Sequence, residues 1–152
     1  MVRNKFILII IFLLIPIKIF ALDNKNEDQY LIAKKFFENG EFFESLEILK
    51  PLVKENFPKA LNLMGIIYDN GDGVEVDYKK AVDLYLKAHN TGLRAATFNL
   101  GTMYQWGAGV KQDYKKARLL YKEAHEKGYA SATKNLAGLY HFGLGVIRDY
   151  GK

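Results

Sequence analysis

Leu100-Gly101-Thr102-Met103-Tyr104-Gln105-Trp106-Gly107-Ala108-Gly109-Val110-Lys111-Gln112-Asp113-Tyr114-Lys115-Lys116-Ala117 decides the fold, because the chain writes it more than once. Met64-Gly65-Ile66-Ile67-Tyr68, Gly71-Asp72-Gly73-Val74 and Asp77-Tyr78-Lys79-Lys80-Ala81 give the same pattern earlier. Leu136-Ala137-Gly138-Leu139-Tyr140, Gly143-Leu144-Gly145-Val146 and Asp149-Tyr150 begin it again. The second glycine of each Gly-x-Gly stands at 73, 109 and 145, a constant step of 36 residues. A fixed period of this size signals stacked units, each burying an apolar face against the next.

Local chemistry places two helices in each unit. A first helix begins near Pro58 or Arg94. Proline suits a first-turn position, where its missing N–H would find no partner anyway. The helix ends at Asn70 or Trp106, before Gly71 or Gly107 as a left-handed stop. Asp77 or Asp113 then caps a second helix that opens on Tyr-Lys-Lys-Ala and closes at Gly92 or Gly128. Small residues recur at Ala60/Ala96/Ala132, Gly65/Gly101/Ala137, Ala81/Ala117 and Ala88/Ala124. Large ones recur at Tyr68/Tyr104/Tyr140, Leu84/Leu120 and Tyr85/Tyr121. Large knobs facing small hollows predict antiparallel helices packed at interior density. The predicted fold is an all-α, right-handed solenoid of helix pairs.

Residues 58–93 and 94–129 are full repeats, and 30–57 form a degenerate one, with a helix from Tyr30 and an Asn39-Gly40 turn. Pro51 falls inside its second helix and predicts a kink there. Residues 130–152 are an incomplete repeat, so Leu136, Leu139 and Tyr140 are expected to have less cover than their siblings, which favours self-association or partner capture at that end.

Residues 1–21 differ in kind. Arg3 and Lys5 precede an apolar run from Phe6 to Ile15, and Ala21 stands before the polar start Leu22-Asp23-Asn24. This describes a secretory signal peptide cleaved after Ala21, against the alternative of a retained anchor. Residues 22–29 read as a flexible lead-in. The expected product is exported, to the periplasm or medium, with no stable membrane insertion after cleavage. No cysteine is present, which rules out disulfides and a lipid tether on cysteine. The chain has 22 Lys+Arg and 17 Asp+Glu, a net charge of +5. Three of the cations (Arg3, Lys5, Lys18) lie in the leader, leaving 19 against 17 and no electrostatic case for nucleic acid.

Ala-x-x-x-Leu-Gly-x-x-Tyr-x-x-Gly-x-Gly-Val-x-x-Asp-x-x-Lys-Ala, read from Ala96 to Ala117, resembles the Sel-one-like repeat, a relative of the tetratricopeptide repeat. Ala60 to Ala81 matches equally well, and Ala132 to Asp149 matches with Ala137 in place of the first glycine. Structural repeat positions are therefore Gly65, Tyr68, Gly71, Gly73, Asp77 and Ala81; Gly101, Tyr104, Gly107, Gly109, Asp113 and Ala117; Tyr140, Gly143 and Gly145. The resemblance implies an adaptor that holds a protein or peptide on the solenoid surface. A cysteine-rich branch is associated with β-lactam binding, and this chain lacks its cysteines.

Catalysis has no constellation to stand on. Asp69 to Lys80 fails as a calcium loop, since the third position is Gly71 and the twelfth is Lys80. His89 and His125 share one register and read as helix residues, not ligands. Ser45 and Ser131 sit in no nucleophile motif, and no Gly-Lys-Ser/Thr follows the glycines. No cofactor or metal is implied. The alternatives to an adaptor are a small envelope hydrolase or β-lactam-binding protein, and a secreted host-directed effector.

Aromatics that break the repeat are free of the stacking requirement. Phe98, Trp106 and Phe142 stand where siblings carry Asn62 or Lys134, and Asn70. Each is either a partner anchor or a filled gap. With Asn62, Thr102, Gln105, Lys134 and His141 they make up the candidate partner-binding surface.

Overall fold

A computed structural model describes residues 25–145. The leader, and the second helix expected to open at Asp149-Tyr150, lie outside the described residues. Among the described residues all regular structure is helical: α1 (25–38), α2 (Phe42–Lys54), α3 (Pro58–Asn70), α4 (Tyr78–Asn90), α5 (Arg94–Trp106), α6 (Tyr114–Glu126) and α7 (Ala130–His141). The chain is an all-α solenoid of repeats. It divides into two compact units between Ile48 and Leu49.

In the first unit, α1 is already helical at residue 25. Residues 25–29, expected as a flexible lead-in, are thus part of the helix, and the expected start at Tyr30 is too late. Asn26, Glu27 and Tyr30 each make a polar or ring interaction there, so a polar composition did not mean a loose segment. Gly40 N–H donates to Phe37 O at 3.0 Å and Glu41 N–H to Phe36 O at 2.9 Å, closing the turn into α2. The Phe37 and Phe42 rings pack 5.7 Å apart. Ser45 is fully buried in the register of Ala81 and Ala117, and its hydroxyl has no hydrogen-bond partner.

In the second unit, α2 continues through Pro51 to Lys54 without a break. The Glu55 N–H donates to Pro51 O at 3.1 Å, so the helical ladder resumes after the proline. Asn56 then takes a left-handed φ of 57°, in the register where Gly92 and Gly128 take 88° and 75°. Asparagine is among the few side chains that tolerate that region. The degenerate repeat thus keeps the stop without its glycine.

The caps fall where local chemistry put them. Pro58 opens α3, and Gly71 (φ 80°) ends it by donating to Ile67 O. Asp77 Oδ1 accepts from Lys80 N–H, and Asp113 Oδ1 from Lys116 N–H, each at 2.9 Å. Asp77 N–H and Asp113 N–H donate back to Tyr68 O and Tyr104 O at 2.9 Å, fastening both Gly-x-Gly loops.

α3 packs on α4 and α5 on α6 within repeats; α4 packs on α5 and α6 on α7 between them. Ala60, Ala81, Ala88, Ala96, Ala117, Ala124 and Ala132 are wholly buried at these contacts. A Cβ at Gly65 would stand 2.6 Å from Tyr85 Cε1, and one at Gly101 2.9 Å from Tyr121 Cδ1. Tyr85 and Tyr121 are therefore the knobs and the two glycines the hollows. Gly109 lies so close to the preceding repeat that a Cβ would meet the Tyr78 carbonyl carbon at 2.5 Å, and Gly145 stands likewise against Tyr114. Gly109 and Gly145 are thus close backbone approaches between repeats as well as turn residues.

The histidines join repeats too. His89 Nδ1 lies 2.9 Å from Thr97 Oγ1, and His125 Nδ1 lies 2.8 Å from Thr133 Oγ1, linking α4 to α5 and α6 to α7. At the last helix, Leu139 is buried and Leu136 packs on the same cluster. Tyr140 is half-exposed and Ala137 is exposed.

Candidate protein-binding surface

The candidate residues divide into an inward and an outward group. On α5, Phe98, Thr102 and Gln105 fall one turn apart on a single helical face. The Phe98 ring packs 5.5 Å from Tyr121 and 5.1 Å from Tyr129. The ring is partly buried against the cluster of Ala117, Tyr121 and Ala124. Tyr121 O–H donates to Gln105 Oε1 at 2.7 Å and lies 3.2 Å from Thr102 Oγ1. Burial pushes the Tyr121 phenol above its ordinary pKa, with the Thr102 and Asn135 hydrogen bonds pulling it partly back. These side chains satisfy a buried hydroxyl. Asn62 on α3 accepts from Asn99 Nδ2 on α5 at 3.0 Å, a bridge between successive first helices.

One repeat earlier, the Tyr85 O–H reaches Asp69 Oδ2 at 3.3 Å, in the register of Gln105. Burial raises the Asp69 carboxyl above the usual carboxylate range, and the Tyr85 hydrogen bond only partly offsets this. The Tyr85 phenol is pushed far up by burial and by that carboxylate. Nothing in this pair resembles an acid–base couple aimed at a cleft, and it serves packing.

Trp106, Lys134, His141 and Phe142 turn outward. Trp106 is 71% exposed and Phe142 66% exposed. They occupy one register, at the end of α5 and immediately after α7. His141 meets the Phe142 ring edge-on at 4.9 Å. Trp106 and Phe142 are both large exposed aromatics at matched positions of successive repeats, and burial of such rings dominates interface energetics in general. Sequence reasoning found these residues but missed a groove on α4, α5 and α6. It is marked by Leu86 and Leu119, which are 44% and 50% exposed; exposed leucine gives no signal in a sequence, because it reads as core. Among the described residues no cluster of His, Asp and Glu could hold a metal ion, and no helix is long and apolar enough to cross a membrane.

The Sel1 repeat family model matches residues 58–88, 94–129 and 130–152, more than half of the chain. No curated protein matches. Among solved structures, the chain is similar to a Sel1 repeat protein from Oxalobacter formigenes, with 30% identity and a TM-score of 0.72. That match covers 80% of this chain and 50% of the other. It is also similar to c5321, a protective antigen present in uropathogenic Escherichia coli strains and displaying an SLR fold, with 28% identity and a TM-score of 0.75. There 85% of this chain is covered and 28% of that one, so the chain spans at most half the length of either neighbour. Repeats of this kind generally mediate protein–protein interaction and are typically non-catalytic. The chain belongs to the Sel1 repeat family.

Proposed function

We propose that the protein is an exported, non-enzymatic adaptor that binds a protein or peptide partner across the Trp106–Phe142 edge of its repeats. The observation that carries this reading is the exposure of those two rings at equivalent positions. Lys134 and His141, exposed on the same helix, extend the contact. The exposed Ala137 and Tyr140 of α7 offer a second copy a smaller place to pack. Export rests on the leader sequence at 1–21. Release toward a host is a second reading, favoured by the likeness to a protein described as a protective antigen.

The test is cross-linking capture from the envelope and culture fractions with the native chain and with Trp106→Ala/Phe142→Ala. A partner retained by the native chain and lost by the double variant, at an unchanged melting temperature, supports the surface. Equal capture by both overturns it. Intact mass of the recovered protein tests export: a chain beginning at Leu22 agrees, and one retaining Met1 does not.

A further inference from the structure

Charge is unevenly distributed along the chain. Residues 25–48 hold three lysines against six carboxylates, net −3, whereas residues 94–145 hold eight Lys+Arg against three carboxylates, net +5. Those three are already engaged: Asp113 caps α6, Glu123 pairs with Lys127 at 2.8 Å, and Glu126 with Lys122 at 3.7 Å. Two of the remaining cations, Lys111 and Lys116, line a cavity of about 560 Å³ beside Tyr104, with Val110, Gln112 and the helix-capping Asp113. Tyr104 and Lys116 also border a second cavity of about 300 Å³, whose apolar wall includes Leu86, Leu100, Leu119 and Leu120. The two cavities share a border, so one groove has a basic end and a leucine-lined end.

The complementary surface is on the same chain. At the start of α2, Phe43 is 70% exposed, second only to Trp106 among the large apolar side chains of the described residues. Glu47 stands one turn on, on the same helical face, and Glu44 is the next residue; both are exposed, and Glu41 before them accepts from Asn39 Nδ2 at 2.9 Å. An aromatic flanked by carboxylates has the chemistry that a leucine groove bordered by lysines would recognise.

We infer that the Phe43–Glu44–Glu47 face of one copy docks into the Leu86–Leu119–Lys116 groove of a second copy. Phe43 enters the leucine end and the glutamates meet Lys111 and Lys116. The surfaces are different patches, so the contact is heterologous and propagates head to tail. This surface is separate from the Trp106–Phe142 edge, so the inference stands independently of the partner proposed there.

Complementation tests it. Glu44→Lys spoils the docking face and leaves the groove; Lys116→Glu spoils the groove and leaves the docking face. Both positions are exposed, and circular dichroism confirms folding. Phe43→Ser is a second docking-face variant, and Leu119→Ser a second groove variant. By sedimentation velocity on purified protein, the native chain gives species beyond a dimer that grow with concentration and shrink as salt rises. Each charge variant alone associates at least about tenfold more weakly. An equimolar mixture of Phe43→Ser and Leu119→Ser restores association and stops at a 1:1 dimer, since only one intact interface can form. A native chain that is monomeric at every concentration overturns the inference, as do variants that associate normally or a mixture that stays monomeric. A monomeric native chain whose groove variants lose an envelope partner would assign the groove to that partner instead.

Discussion

Gly109→Ala separates two reasons why a glycine recurs every 36 residues. The backbone at 109 has φ 69°, a left-handed conformation that costs a residue with a Cβ about 1–2 kcal/mol. The added methyl would also stand 2.5 Å from the Tyr78 carbonyl carbon and 2.8 Å from Lys79 N. That neighbour is the first turn of α4, rigid backbone with no side chain to rotate away. Overpacking of this kind costs about 1–3 kcal/mol more, through displacement of one repeat from the next. Gly92→Ala is the matched control, because φ there is 88° and a Cβ would meet nothing within 4 Å. The control therefore reports strain alone, and the difference between the variants reports the contact between repeats. Gly109→Ala should lose roughly 2–5 kcal/mol and Gly92→Ala roughly 1–2 kcal/mol in urea unfolding. Each kcal/mol corresponds to a shift of about 3–6 °C in melting temperature for a chain of this size. Equal losses in the two variants would refute the close-approach argument and leave only the turn.

Three further outcomes follow from buried polar groups. Asp69→Gln copies the neutral group that Gln105 supplies one repeat later, and should raise the melting temperature at neutral pH. The Asp69 carboxyl has a folded pKa above its unfolded value, so its cost is present once pH exceeds the folded value and fades as pH falls toward the unfolded one. The gain from Asp69→Gln should therefore shrink in acid, as thermal melts across pH will show. Ser45→Ala restores the residue of the sibling registers and removes a buried hydroxyl without a partner, adding about 1 kcal/mol to stability in urea titrations. Thr97→Val removes the partner of His89 Nδ1 while conserving shape, and should cost about 1–2 kcal/mol, read by the same titration.

Helix ends were legible because their causes are local. Pro58, Asp77, Asp113, Gly71 and Gly107 act within a turn of themselves, so their register alone placed the caps. The start of α1 was misplaced because a run of charged and amide residues carries no stop signal of its own and reads equally as loop or helix face. Phe98 could not be resolved, because what it touches is set by Tyr121 and Tyr129 in later elements. The outward Trp106 and Phe142 were found because they depart from Asn70 in the same register, a signal that singled out the inward-packed Phe98 as well. The His–Thr bridges could have been found by the same logic reversed: His89/His125 and Thr97/Thr133 repeat together, eight residues apart. Read singly, each histidine was only a tolerated helix residue. The glycines at 109 and 145 stood out by their spacing, and their contact with the preceding repeat is a tertiary fact that no local spacing encodes.

The central claim is that interchangeable 36-residue units hold one another in place. Excising residues 94–129 joins Leu93 to Ala130 with every later position still in register. In a stack whose stability is a sum of units and their interfaces, that chain should remain helical and melt cooperatively, at a lower temperature than the native protein. Excising 97–129 instead shifts α7 by three residues, which removes its packing on α4 and should leave α7 out of the cooperative transition. Circular dichroism melts of the two deletions decide the matter: a lower melting temperature and less helix in the out-of-register chain bear out the stacking, and two chains that melt alike contradict it.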